Sequence, residues 1–299
     1  MAENRNAQQV REITDKLEQG LKELFESERF KEYLKTMSKF YNYSFNNTLL
    51  IAMQKPDATL IAGYTAWQRN FDRHVMKGEK GIKILAPAPY KVQEEREKLD
   101  PATQKPVLDK DGKPVTETVE VTRPAFKVVS VFDVSQTDGK ELPDIAVDEL
   151  TGSVENYAAF FDALKELSPV PIAFENITDG AKGYFSHVEN RIAIQEGMSE
   201  IQTIKTAIHE IAHAKLHAVT PGEKVAPEDK KDRRTKEVEA ESVAYTVCQR
   251  YGIETSDYSF GYIAGWSSDK ETKELKGSLE TIRKTAAEMI TGIDEKLKE

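Results

Sequence analysis

The stretch 208-IHEIAHAKLHA-218 holds three of the chain's five histidines, His209, His213 and His217, each four residues from the next. On a helix this spacing stacks side chains one turn apart on a single face. HExxH therefore aims the Nε2 atoms of His209 and His213 at one point, with Glu210 beside that point as a base for water. His217 is not an equivalent partner. Eight residues of helix, roughly 12 Å along the axis, separate it from His209, whereas zinc–nitrogen bonds are ~2 Å. No glycine between them breaks the helix, so His217 reads as a packing residue or an outer partner of the ligands.

A third ligand is expected from 237-EVEAE-241, on the next helix. Glu237 and Glu241 are four apart and share a face, while Glu239 points nearly the opposite way. One glutamate binds the ion and another accepts the free N–H of a ligating imidazole. The expected roles are Glu237 as ligand and Glu241 as outer partner. Glu239 is the alternative ligand, because helix phase is not set by sequence alone. Two imidazoles, one carboxylate and an open position make a catalytic zinc site rather than a closed structural one. Glu210 then passes a proton from water to a leaving amine. The strand 191-RIAIQ-195 is expected to pair with an extended peptide. This is the layout of a zinc peptidase acting on a protein substrate that the sequence does not name.

The rest of the chain sets bounds on that reading. At 299 residues it suits two domains. A net charge of −9 excludes a protein coated in basic residues, although a local basic face remains compatible with it. The one cysteine, Cys248, excludes an intramolecular disulfide and a CxxC metal knuckle. No apolar run approaches the ~20 residues that span a bilayer. The polar start is no signal-peptide core, so a cytoplasmic protein with no membrane partner is expected.

Helical periodicity runs over 7–40 and again over 44–54, ended by Lys55-Pro56-Asp57. Residues 59–75 are β-branched and aromatic, 93–122 read as a long hairpin or loop, and 124–137 as a strand. Residues 138–153 read as a linker. Beyond it come a helix over 154–167, the stretch 170-VPIAFENI-177 followed by Gly180 and Gly183, and a hairpin over 184–197 that turns near Glu189-Asn190. A long helix over 199–218 capped by Ser199, a charged loop over 221–235, a helix over 236–252 and a helical tail over 269–299 complete the chain. The fold class is α+β, with domains at 1–140 and 150–299.

Within the first domain, Arg69, Arg73, Lys77, Lys80, Lys83 and Lys91 face only Asp72 and Glu79, a local net of +4. Tyr41, Tyr43, Phe45, Tyr64 and Trp67 are near in sequence. Basic residues track a phosphate backbone and aromatics stack on unpaired bases. The other reading of the same residues is an aromatic core under solvated lysines. Asn42, Asn46 and Asn47 read base edges or cap a helix.

The run from Gly183 to Gly252 resembles the zincin-type metallopeptidases of the ImmA/IrrE and ArdC groups. In these, HExxH is followed on the next helix by a glutamate ligand in an alanine-containing segment. The stretches 41-YNYSFNNTLLI-51, 56-PDATLIAGYTAWQ-68 and 77-KGEKGIKILAP-87 resemble the N-terminal domain of ArdC-type antirestriction proteins, and LtrC-like proteins of conjugative elements are similar over most of the length. The resemblance implies single-stranded-DNA binding by the first domain, protection of incoming DNA from host restriction, and a mobile-element setting. Two alternatives stand beside it. One is a DNA-binding shield with a structural metal. The other is an ImmA-like protease of a repressor, whose first half recognises protein.

Overall fold

The structure, a computed structural model, describes residues 5–101, 103–142, 154–178, 180–218, 231–253, 258, 260–268 and 270–298. Most of the expected linker (143–153) and much of the charged loop (219–230) lie outside the described residues. In chain order the first elements are α1 (Arg5–Leu24), α2 (Ser27–Lys39), α3 (Phe45–Gln54), β1 (Ile61–Gly63), α4 (Tyr64–Phe71), β2 (Arg73–Val75), β3 (Ile82–Pro87), β4 (Tyr90–Glu97), β5 (Thr116–Arg123), β6 (Phe126–Asp133) and β7 (Thr137–Gly139). They are followed by α5 (Val154–Leu167), β8 (Ile172–Glu175), β9 (Gly183–Ser186), β10 (Arg191–Gln195), α6 (Glu200–His217), α7 (Arg233–Arg250), α8 (Ile263–Ser267) and α9 (Thr272–Lys296). The mixture of helix and strand is the expected α+β class.

The chain forms two compact units, Met1–Lys16 with Lys83–Ser130, and Leu17–Ile82 with Val131–Glu299. In the smaller unit, β4 and β5 form an antiparallel hairpin paired over eight residues, Tyr90↔Arg123 to Glu97↔Thr116. Its strands carry mainly polar residues, and few of its side chains are even half-buried.

The larger unit holds most of the core. Phe30 of α2 is fully buried and meets Phe260 edge-on at 5.3 Å, and Phe260 in turn meets Tyr245 of α7 at 5.5 Å. Offset and edge-to-face rings pack in this way because their quadrupoles favour it. Thus α2 and α3, from the first half of the sequence, bury their apolar faces against α7 and α9. The compact units are therefore drawn differently from the sequence segments 1–140 and 150–299. The reason is that amphipathic helices need a partner face, and here those faces belong to helices far along the chain.

Segment 59–75 is only partly extended. Gly63 and Asp72 bracket the eight-residue helix α4, which Asp72 closes in the left-handed conformation, φ 53°. Between the short strands β1 and β2, this turn of helix seats Trp67 in the core.

A second sheet supports α6. Its order is β8-β10-β9, with β10 parallel to β8 and antiparallel to β9. Ile192, Ala193 and Ile194 of β10 are fully buried. This corrects the expectation that 191-RIAIQ-195 receives an extended peptide: β10 is hydrogen-bonded on both sides and has no free edge. Among the described residues the edge nearest α6 belongs to β9.

Candidate functional site

Helix α6 starts at Ser199, whose hydroxyl accepts from the Gln202 N–H. Ile204, Ile208 and Ile211 bury one face, which turns His209 and His213 toward a cleft of about 650 Å3. Their Nε2 atoms lie 3.1 Å apart. Helix α7 is capped by Asp232, whose carboxylate accepts from the Thr235 N–H at 2.7 Å and pairs with Lys270 at 2.6 Å. Packed against α6, α7 brings Glu237 Oε2 to 3.7 Å from His209 Nε2 and 3.5 Å from His213 Nε2. Ligands about 2.0–2.1 Å from one ion in a tetrahedral arrangement are themselves roughly 3.3 Å apart. The three observed separations fit a divalent ion, and these are the three residues among those described that converge in this way.

Glu210 is 8% exposed. Burial lifts its carboxyl above the usual carboxylate range, against the pull of His209 and His213, and it accepts from the backbone N–H of Phe185 on β9. Glu237 is held well below that range by the His209 and His213 imidazoles beside it. Close approach of β9 to α6 depends on Gly183. A Cβ there would lie 2.6 Å from Thr206 Cγ2, 2.9 Å from the Ala193 carbonyl and 3.5 Å from Glu210 Cγ. A larger residue would push the strand off the helix at the base.

The remaining predicted residues fall differently. Glu241 accepts from the Tyr262 hydroxyl, whereas the buried Glu239 faces away from Glu237, as its helix phase requires. Glu239 Oε2 lies 3.0 Å from His217 Nε2, and Lys231 pairs with both of its oxygens at 2.7 and 2.8 Å. His217 Nδ1 lies 3.0 Å from His213 Nδ1. One assignment of protons satisfies every contact: His213 Nδ1–H donates to His217, and His217 Nε2–H donates to Glu239. That leaves a lone pair on His213 Nε2 facing the cleft. An outer carboxylate thus stands behind His213 at Glu239, reached through His217. The HisxxxHis spacing was its sequence signal, but which acid closes the chain depended on the phase of α7.

In the first half the structure separates buried from accessible candidates. Trp67 is fully buried and its indole N–H donates to the Phe132 carbonyl at 2.8 Å. Phe45 is buried against Tyr33. Both are corrected from base-stacking candidates to core, since no base reaches a covered ring. Trp67→Ala should therefore lose about 3–5 kcal/mol of stability, read as a lowered melting temperature.

Arg73 is engaged by the Thr137 hydroxyl and by the carbonyls of Thr137, Gly139 and Lys140, so it ties β2 to β7. Tyr41 and Tyr43 are half-buried. Arg250 stacks on Tyr41, and both of their carbonyls accept from Arg283. Asn46, Arg69, Lys77, Lys80 and Lys83 are exposed, and Lys83 Nζ donates to the Ser130 hydroxyl at 2.6 Å.

Among the described residues no helix is long and apolar enough to cross a membrane. Residues 4–132 match the family described as the N-terminal domain of anti-restriction factor ArdC. Residues 168–251 match the IrrE N-terminal-like domain, a peptidase family of type M78. The chain is 29% identical to an uncharacterized protein of Bacillus anthracis across 98% of its own length and 52% of that protein's. It is 34% identical to the DNA primase TraC of Escherichia coli across 46% of its own length and 12% of the primase. It thus spans about half of the first relative and a small part of the second. The crystal structure of the antirestriction ArdC protein from the R388 plasmid, in metal-free form, aligns with 21% identity and a TM-score of 0.49, covering 86% of this chain and 84% of that one. Residues 4–132 and 168–251 place an ArdC-type N-terminal domain and an IrrE-like domain of the M78 peptidase family in this one chain.

Proposed function

We propose that the chain is a zinc-dependent metallopeptidase of the HExxH type, that its first half binds single-stranded DNA, and that together they serve antirestriction on a mobile element. The functional division then falls between about residues 140 and 150. The observation that carries the peptidase reading is the convergence of His209, His213 and Glu237 beside the buried carboxylate of Glu210.

Two imidazoles and one carboxylate are the donor set of catalytic zinc, and three protein ligands leave a position for substrate. Zinc held there supplies Lewis acidity toward water and the scissile carbonyl. The chain's own residues do the remainder. The open edge of β9 takes an extended peptide by strand addition. Glu210, its affinity for a proton raised by burial, removes a proton from the attacking water and delivers it to the leaving amine. His217 and Glu239 keep the His213 imidazole in the tautomer that turns Nε2 to the ion.

Zinc titration of the full chain, followed by metal analysis, tests the site. One zinc per chain is expected, and uptake no greater than that of a His209→Ala, His213→Ala chain would remove this reading. For the DNA half, binding of a single strand should weaken as salt rises. Changing Lys77, Lys80 and Lys83 to glutamate should weaken binding to all sequences alike and lower the log–log salt slope by roughly 2, since each phosphate contact on a single strand contributes about 0.7. A slope unchanged by the triple change would place the strand elsewhere.

A further inference from the structure

We propose that the hollow between the start of α4, strand β2 and the turn at 77–79 is a nucleobase pocket, in which one unpaired base stacks on Tyr64 and its phosphate sits on Lys77. The inference rests on the single-strand-binding reading above and names the place where a base is held.

The hollow has a volume of about 600 Å3 and is lined by Tyr64, His74, Met76, Lys77, Glu79 and Phe132, among others. Tyr64 is 59% exposed, more than any other aromatic side chain among the described residues. An exposed aromatic ring at a helix start, one turn from the buried Trp67, is not explained by packing. It is nevertheless held in place, because Phe132 supports it edge-on at 6.2 Å and 71°. Phe132 is itself fixed, pairing with Ala62 of β1 and accepting the Trp67 indole N–H through its carbonyl. A rigid ring with one face open to solvent loses little entropy when a base covers it.

The walls add what a nucleotide needs besides a platform. Lys77 is exposed on the turn, beside Gly78, whose φ of +94° suits glycine and around which a Cβ would meet nothing within 4 Å. The backbone side of the turn is thus open to a ligand. The acid in the wall, Glu79, accepts from the Gln136 amide at 2.8 Å, and that amide also donates to the Lys80 carbonyl. Glu79 is therefore turned toward Gln136, while Lys77 is the lysine of the lining. An aromatic platform next to a cation is the combination by which unpaired bases and their phosphates are held. A base within a duplex has both faces covered and cannot enter.

The test uses the full chain and a fluorescein-labelled oligothymidine, with anisotropy titrations at two salt concentrations. Tyr64→Ala should weaken binding roughly 5- to 150-fold, the range of one lost base stack, with the salt slope and the melting temperature unchanged. Tyr64→Phe should retain most of the affinity, because the ring is kept. Lys77→Ala should lower the slope by about 0.7. Tyr64→Ala binding within twofold of the unaltered chain overturns the pocket while leaving single-strand binding standing. No salt-dependent binding by the unaltered chain overturns the underlying reading, and the pocket with it.

Discussion

Glu210→Gln should retain zinc and the fold and lose peptide-bond hydrolysis by about 10²–10⁴-fold, the usual worth of a positioned general base. The substitution is nearly isosteric, and the side-chain carbonyl can still accept from the Phe185 N–H that now meets the carboxylate. What disappears is the ability to hold a proton between water and the leaving amine. Glu210 is not among the three converging donors, so metal content should not change. The measurement is digestion of a peptide library read by mass spectrometry, beside metal analysis of the same preparations. Cleavage that survives in the variant would take Glu210 out of the mechanism. Antirestriction that survives while cleavage is lost would favour the shield, in which the metal only holds the domain together.

His213→Ala should abolish zinc uptake, whereas His217→Ala and Glu239→Gln should keep one zinc per chain and weaken it about 10–100-fold, as loss of an outer partner does. The distinction follows from geometry. His213 Nε2 lies with His209 Nε2 and Glu237 Oε2 around one point, while both ring nitrogens of His217 are occupied, by His213 and by Glu239. Removing His213 removes a ligand; removing His217 frees the imidazole behind it to turn. Glu239 is buried and pairs with Lys231, and breaking a buried charge pair costs stability on its own account. Melting curves of the zinc-free variants separate that cost from the change in affinity. If His217→Ala loses zinc as completely as His213→Ala, His217 is a ligand and the proton assignment fails.

The sequence by itself determined what depends on neighbours along one element. Four-residue spacing put His209 and His213 on one face, Ser199 marked where α6 begins, and eight residues of unbroken helix left His217 outside the set of converging donors. The hairpin of β9 and β10 was legible in its alternation, with Asn190 in the left-handed turn, φ 51°. What tertiary structure alone decided depends on how elements meet. The phase of α7 against α6 selected Glu237 to face the imidazoles and sent Glu239 to His217, a choice of about 100° per residue that no spacing rule makes. Sheet order made β9 rather than β10 the free edge, because a strand's pattern does not say how many partners it has. The burial of Trp67 and the exposure of Tyr64, three residues apart on α4, were equally invisible. Both are aromatic residues near lysines in the sequence, and only packing against β6 determines which ring is covered and which is left open.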